Sequence, residues 1–303
     1  MSKFLLTFAS ICLLSSPVFA HEHDTHSAET KLDNVTIENI MGGLDMIQAG
    51  GGNIAVLHGD DGVFVIDNGL PDKTEAVMAA IKKVAGENNI AMLVNTHWHF
   101  DHAGNNQAVA ESGAIVIAHD NVRKRLKKGQ TITALGKRVD PAENSALPVL
   151  TYDEGVTIHL NGQSANIIKM TPAHTDGDSI IFWKEANVIH TGDIFFNGKF
   201  PFIDGSSGGS LIGMINATDK ILDMINDQTK IIPGHGPLAN KEDLNSYNAM
   251  LKEVSARVEK AKSEDQNRDT WLSSKPLKDL QKQWGGGFMN VDQFSEIAWD
   301  SYQ

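Results

Sequence analysis

The stretch Ala91-Met92-Leu93-Val94-Asn95-Thr96-His97-Trp98-His99-Phe100-Asp101-His102 decides the reading of this chain. It begins as a continuous apolar run and ends as H-x-H-x-D-H, four metal-ligand side chains within six residues. In extended backbone the side chains at i and i+2 point the same way, so His97 and His99 can grip one ion together. Asp101 and His102 fall where the chain turns into the next helix and can address a second position beside the first. A strand with such residues at its C-terminal end sits where α/β sheets place their functional loops.

Three later segments supply ligand-type residues in similar settings. His174 lies in Thr171-Pro172-Ala173-His174-Thr175-Asp176-Gly177-Asp178, a loop between two strands. Asp193 ends a strand in His190-Thr191-Gly192-Asp193, and His235 follows a short strand in Pro233-Gly234-His235-Gly236-Pro237. Each stands at a strand-to-loop junction beside glycine, which lets backbone approach closely. His58, His119, His159 and His190 lack paired ligand spacing and read as satisfied or exposed histidines. Of these, only His190 is close enough to Asp193 to support the site.

The surrounding pattern is strands, then helices, twice over. Short runs rich in Ile and Val at 44–49, 53–58 and 63–67 are punctuated by Gly50-Gly51-Gly52 and by the hairpin signal Asp60-Asp61-Gly62. Pro71 opens a helix through about residue 85. The spacing predicts helices over 105–112 and 121–128 around a strand at 114–118. Residues 129–148, with Pro141 and Pro148, read as loop and as a candidate lid. A second strand set follows at 157–160, 165–170, 179–183 and 187–191. Helices at 208–225 and 241–262 flank a short strand at 230–232, and two weaker helical segments surround Gly285-Gly286-Gly287. Two such halves predict two packed sheets with helices outside, in one domain.

Length and charge bound the function. The 303 residues are enough to bury a substantial core. A net charge of −12 argues against a nucleic-acid or anionic-membrane partner, because phosphate binding needs a positive surface. The basic run from Arg123 to Lys128 reads as a solvated helix face. Residues 1–20 have the build of a removed signal: Lys3, an apolar stretch from Phe4 to Leu14, and Val18-Phe19-Ala20 before His21. Cys12, the sole cysteine, lies inside it, so the mature chain would carry no thiol. The expectation is a periplasmic or secreted protein without stable membrane insertion. Residues 21–33 read as a His-rich disordered leader, 34–265 as the working domain, and 266–303 as a helical extension packed on it.

In order and context, these motifs resemble the metallo-β-lactamase-fold hydrolase superfamily, over roughly residues 44–240. The resemblance implies an α/β fold, a four-layer αββα sandwich with its site at one edge of the paired sheets. It implies His97, His99 and His174 around one ion, and Asp101, His102 and His235 around a second. Asp193 would bridge both, and Asp67 would support the ligands from behind. Two divalent ions are expected, Zn²⁺ first, with Fe or Mn accepting the same donors. A metal-bound hydroxide would attack the substrate, with Asp101 orienting it or handling a proton.

The main classes of metallo-β-lactamase lack the bridging Asp that this chain has at position 193. The reading therefore favours a small ester, thioester, lactone or lactam as substrate over β-lactamase activity as the main function. A non-catalytic periplasmic metal-binding accessory is the competing class. Phe195-Phe196-Asn197-Gly198-Lys199-Phe200-Pro201-Phe202, just beyond Asp193, reads as an apolar pocket wall with Lys199 available to an anion.

Overall fold

A computed structural model of the chain describes residues 34–302, so the signal expected at 1–20 and the leader at 21–33 lie outside the described residues. The first half builds a seven-stranded sheet from β1 (Thr36–Met41), β2 (Leu44–Gln48), β3 (Ile54–Gly59), β4 (Gly62–Ile66), β5 (Ile90–Asn95), β6 (Ile115–His119) and β9 (Leu150–Tyr152). Helices α1 (Thr74–Ala85), α2 (Phe100–Ala103), α3 (Asn106–Glu111) and α4 (Asp120–Lys128) are interleaved with it. Between α4 and β9 lies a hairpin of β7 (Gln130–Ile132) and β8 (Lys137–Val139). The second sheet holds β10 (Gly155–Leu160), β11 (Gln163–Lys169), β12 (Ser179–Trp183), β13 (Val188–His190) and β14 (Lys230–Ile232), with α5 (Leu211–Met224) and α6 (Lys241–Ser263) alongside.

The layering follows from alternation along the strands. In β4, Phe64 and Ile66 face Ile181 and Trp183 of β12 across the gap between sheets. Val63 and Val65 point the other way, onto Val77 and Ile81 of α1. In β12, Ile180 and Phe182 face Met214 of α5 and Leu251 of α6. A side-chain period of two thus gives each sheet two apolar faces, and the result is the αββα sandwich expected from the sequence.

The topology also brings the loops together. Strands β4, β5 and β6 are parallel, as are β13 and β14, so the loops after them leave from C-terminal strand edges. Two backbone bonds join the sheets at the shared edge: Asn53 N–H donates to Gly234 O at 2.8 Å, and Ser179 N–H to Thr96 O at 2.9 Å.

Residues 129–148 differ from the loop reading. They contain the β7–β8 hairpin, which turns at Gly136 in left-handed backbone, φ 58°. Its strands, Gln130-Thr131-Ile132 and Lys137-Arg138-Val139, hold one apolar residue each, so no hydrophobic run marks them. The C-terminal residues form α7 (Arg268–Ser273), α8 (Gln281–Trp284) and α9 (Val291–Asp300). Trp271, Leu277, Trp284 and Phe294 enter the same core as α5 and α6. Among the described residues, no helix is long and apolar enough to cross a membrane.

Candidate metal centre

All seven ligand-type residues singled out in the sequence converge at the shared sheet edge. His97, His99 and His174 offer nitrogens that lie within 4.8 Å of one another, as do the donor atoms of Asp101, His102 and His235. Asp193 touches both groups. Its Oδ2 lies 3.5 Å from His174 Nε2 and 3.5 Å from His235 Nε2, and its Oδ1 lies 3.0 Å from His102 Nε2. Asp101 Oδ2 approaches His235 Nε2 at 3.3 Å.

Each element delivers its residue for a local reason. β5 ends at Asn95, and α2 begins at Phe100, which turns Asp101 and His102 away from His97 and His99. Tight backbone makes room for the side chains. A Cβ at Gly52 would overlap the His102 ring, and one at Gly234 would overlap the Asp193 carboxylate. The His174 loop is pinned by Asp178, whose Oδ2 accepts from the backbone N–H of His174 at 2.7 Å and of Thr175 at 2.9 Å. Burial pushes the Asp178 carboxyl up to about 7, against the pull of its donors. Arg125 holds the loop from outside through a bidentate pair with Asp176, both bonds 2.7 Å, so this member of the basic run has a structural partner.

The outer nitrogens of four imidazoles are held, and that sets the tautomers. His174 Nδ1–H donates to Phe202 O at 2.7 Å, and His99 Nε2–H to Asp204 Oδ2 at 3.0 Å. His102 Nδ1–H donates to Asp67 Oδ2 at 2.8 Å. His97 Nδ1–H donates to Thr96 Oγ1 at 3.0 Å, and that hydroxyl donates to Asp67 Oδ2 at 2.7 Å. In the neutral rings, every inner nitrogen then carries a lone pair. His174 Nε2 and His99 Nδ1 face each other at 2.8 Å with no proton left between them. His97 Nε2 is buried without any hydrogen-bond partner. Buried polar atoms normally have one. Lone pairs aimed at a common point, backed by fixed outer acceptors, are the donor set a divalent cation fits.

The charges fit the same picture. Burial holds the His97 imidazole well below its usual range and brings His174 down to about 4. Burial also opposes charge on His102 and His235, but nearby carboxylates outweigh it. Asp193, Asp101 and Asp67 raise His102 well above the usual range, and Asp193 and Asp101 raise His235 to about 9. In return, although burial works against it, His102 and His235 keep the Asp101 and Asp193 carboxyls well below theirs. Without metal, protons on His102 and His235 do the work that cations would do.

Asp101 and His235 are half-buried, whereas the other five residues are buried. They open onto a cavity of about 290 Å³. Phe196, Phe200 and Phe202 line it, while Phe195 packs beneath against Tyr247, ring centroids 5.0 Å apart. The Phe-rich stretch is therefore partly wall and partly core. Phe196 also stacks on His235, at 5.2 Å and 18°.

Among the described residues, the remaining histidines do not join the cluster. His190 accepts from Gly192 N–H and reaches Asn53 O, His58 pairs with Asp45, and His119 accepts from Asn121 N–H. Asp204 and Asp178 were not singled out from the sequence. Asp204 holds a ring 105 residues away, which no local spacing announces, and Asp178 pins backbone three and four residues back within its own turn.

Comparisons with known proteins give the chain a family. The family model described as the metallo-beta-lactamase superfamily matches residues 47–241. An uncharacterized protein of Mycobacterium tuberculosis is 30% identical over 195 residues, which are 59% of this chain and 81% of that protein. An acyl-coenzyme A thioesterase of Bos taurus is 24% identical over 208 residues, 60% of this chain and 72% of its own. Among solved structures, a metallo-beta-lactamase from Pontibacter korlensis superposes with a TM-score of 0.59 at 16% identity, covering 72% of this chain and 99% of that one. At that identity the likeness is one of fold, which does not by itself carry a substrate. From the family match and the convergent histidine and aspartate cluster, the chain belongs to the metallo-beta-lactamase superfamily of metallo-hydrolases.

Proposed function

We propose that this chain is an exported hydrolase that holds two divalent ions and cleaves a small ester, thioester, lactone or lactam. His97, His99 and His174 would hold one ion, Asp101, His102 and His235 the other, with Asp193 shared. The observation that carries the reading is the position of Asp193, within 3.5 Å of donor nitrogens from both groups. A protein that merely stores metal has no need of a carboxylate shared between two positions.

When bound, the ions would lower the pKa of a coordinated water toward neutrality and polarise the carbonyl oxygen of the substrate. The imidazole and carboxylate set suits Zn²⁺, and Fe or Mn accept the same donors. The chain's own residues do the rest. Asp101 lines the cavity, where its carboxylate would orient the attacking water or handle a proton. Asp67 and Asp204 fix the imidazole rings, and the phenylalanine wall keeps bulk water away from the reacting carbonyl. Lys199 lines the same cavity and offers a cation to an anionic group of the substrate. The bovine thioesterase supports an acyl substrate, and the pattern of residues 1–20 supports export.

The test is turnover by metal-loaded protein across ester, thioester, lactone, cephalosporin and sulfate-ester reporters, with Asp101→Asn alongside. Turnover that falls at least a hundredfold in Asp101→Asn, within the range general-base catalysis contributes, supports the reading. No turnover of any reporter by protein shown to hold its metal would leave the accessory role as the better account.

A further inference from the structure

The residues that match the family model end at 241, yet the metal cleft does not. The extension beyond α6 sends the loop between α8 and α9 back across the cavity, and Phe288 and Met289 become part of its lining. That loop is anchored at both ends. Upstream, Phe200 N–H donates to Trp284 O at 2.8 Å, and Lys199 and Gly285 form an antiparallel bridge. Gly287 lies so close to Lys199 that an added Cβ would stand 2.9 Å from its side chain. Downstream, Asn290 and Gln293 form a reciprocal capping box that starts α9. Phe288 is thus held in place by neighbours on both sides.

Its exposure is what needs explaining. Among the described residues, Ile115, Val149, Leu150 and Phe288 are the large hydrophobics left exposed. Phe288 is 70% accessible, and it alone of the four borders the metal cleft. Met289 beside it is buried, so the backbone there turns one apolar side chain inward and leaves the next at the mouth. The β7–β8 hairpin contributes the partly exposed Leu135 and the buried Ile132 to the same lining, and Lys137 Nζ sits 3.2 Å from the Phe100 ring centroid, which ties the hairpin to the cleft. Two chain segments far apart in sequence therefore present apolar side chains to one opening beside the metal centre. An apolar group entering there would remove the Phe288 ring from water with little ordering cost, because the loop is already fixed.

We propose that Phe288, with Leu135 of the β7–β8 hairpin, is a specificity-determining clamp that selects substrates with an extended apolar acyl group. This rests on the hydrolase reading above and narrows its substrate class to acyl esters and thioesters with a hydrocarbon chain. Short acyl groups reach the metals without touching Phe288, whereas long ones lie between it and the hairpin.

The experiment compares p-nitrophenyl acetate and p-nitrophenyl octanoate on the full metal-loaded chain, for wild type, Phe288→Ala and Phe288→Leu. Calorimetric titration with acetate and octanoate themselves gives a readout that needs no turnover. The wild type is expected to favour octanoate in both kcat/KM and affinity. In Phe288→Ala that preference should fall about tenfold, mainly through KM, since losing most of a buried aromatic contact is of that order. Phe288→Leu should recover part of it. An octanoate-to-acetate ratio that is the same in wild type and Phe288→Ala, by rate or by calorimetry, overturns the proposal. If neither ester is turned over, the wider reporter series decides the hydrolase reading, while the calorimetric ratio still decides the clamp.

Discussion

Asp204 offers the sharpest test of how the metal centre is supported. Its Oδ2 accepts from His99 Nε2–H at 3.0 Å, and the Ser206 and Ser207 hydroxyls also donate to its carboxylate. The carboxylate is buried, and although burial opposes its charge, His99 keeps the carboxyl well below its usual range. Asp204→Asn keeps the shape and removes the charge. A hydrogen bond to a charged acceptor contributes about 1.5–3 kcal/mol and a neutral one about 0.5–1.5. The difference, about 1–1.5 kcal/mol, corresponds to roughly a tenfold loss in affinity for the ion that His99 would help to hold. Asp204→Ala frees the ring altogether, and its loss should approach a hundredfold, the upper end for groups that orient a ligand. Because Asp204 contacts none of Asp101, His102 or His235, the second ion should be affected much less. Competition with a chromophoric chelator resolves the stepwise constants. Equal affinity in wild type and both variants, or a loss confined to the second ion, would refute the reasoning.

Asp67 should behave differently, because it reaches His102 directly and His97 through the Thr96 hydroxyl. Asp67→Ala is expected to weaken both ions by tenfold or more, in the same chelator competition, and loss of one ion alone would contradict the shared network. The metal-free protein should lose stability as pH rises. His235 has its pKa raised from 6.5 to about 9 in the fold, so its contribution is fully present below pH 6.5 and is gone above pH 9. Thermal unfolding of chelator-treated protein should show Tm falling across that window, with a flatter profile in His235→Ala. Apparent metal affinity should rise over the same window as the competing proton leaves, and a pH-independent affinity would count against it.

Much of the site was readable because its ligands stand at strand ends beside glycine. His97 through His102 form a local motif, and His174, Asp193 and His235 each follow or precede a short hydrophobic run that announces the sheet edge. The two-sheet layering was readable for the same reason, since β4 and β12 alternate or run apolar over five residues. What escaped were features with no local period. Asp204 acts on a ring 105 residues away in sequence. Asp178 works by pinning backbone, which leaves no pattern beyond a turn. The β7–β8 hairpin has three residues per strand, and β9 adds three more at the sheet edge. Phe288 stands in a glycine-rich loop whose importance comes from the fold returning it to the cleft. Tertiary geometry alone distinguishes it from an ordinary exposed aromatic residue.

The central claim is that the seven residues hold two adjacent ions with Asp193 between them. Anomalous diffraction at the absorption edge of the bound metal, on crystals of the metal-loaded chain, tests it most directly. The account predicts two peaks in the cleft, one among His97, His99 and His174 and one among Asp101, His102 and His235, both within bonding distance of the Asp193 carboxylate. A single peak at full metal loading, or ions bound away from Asp193, would contradict it.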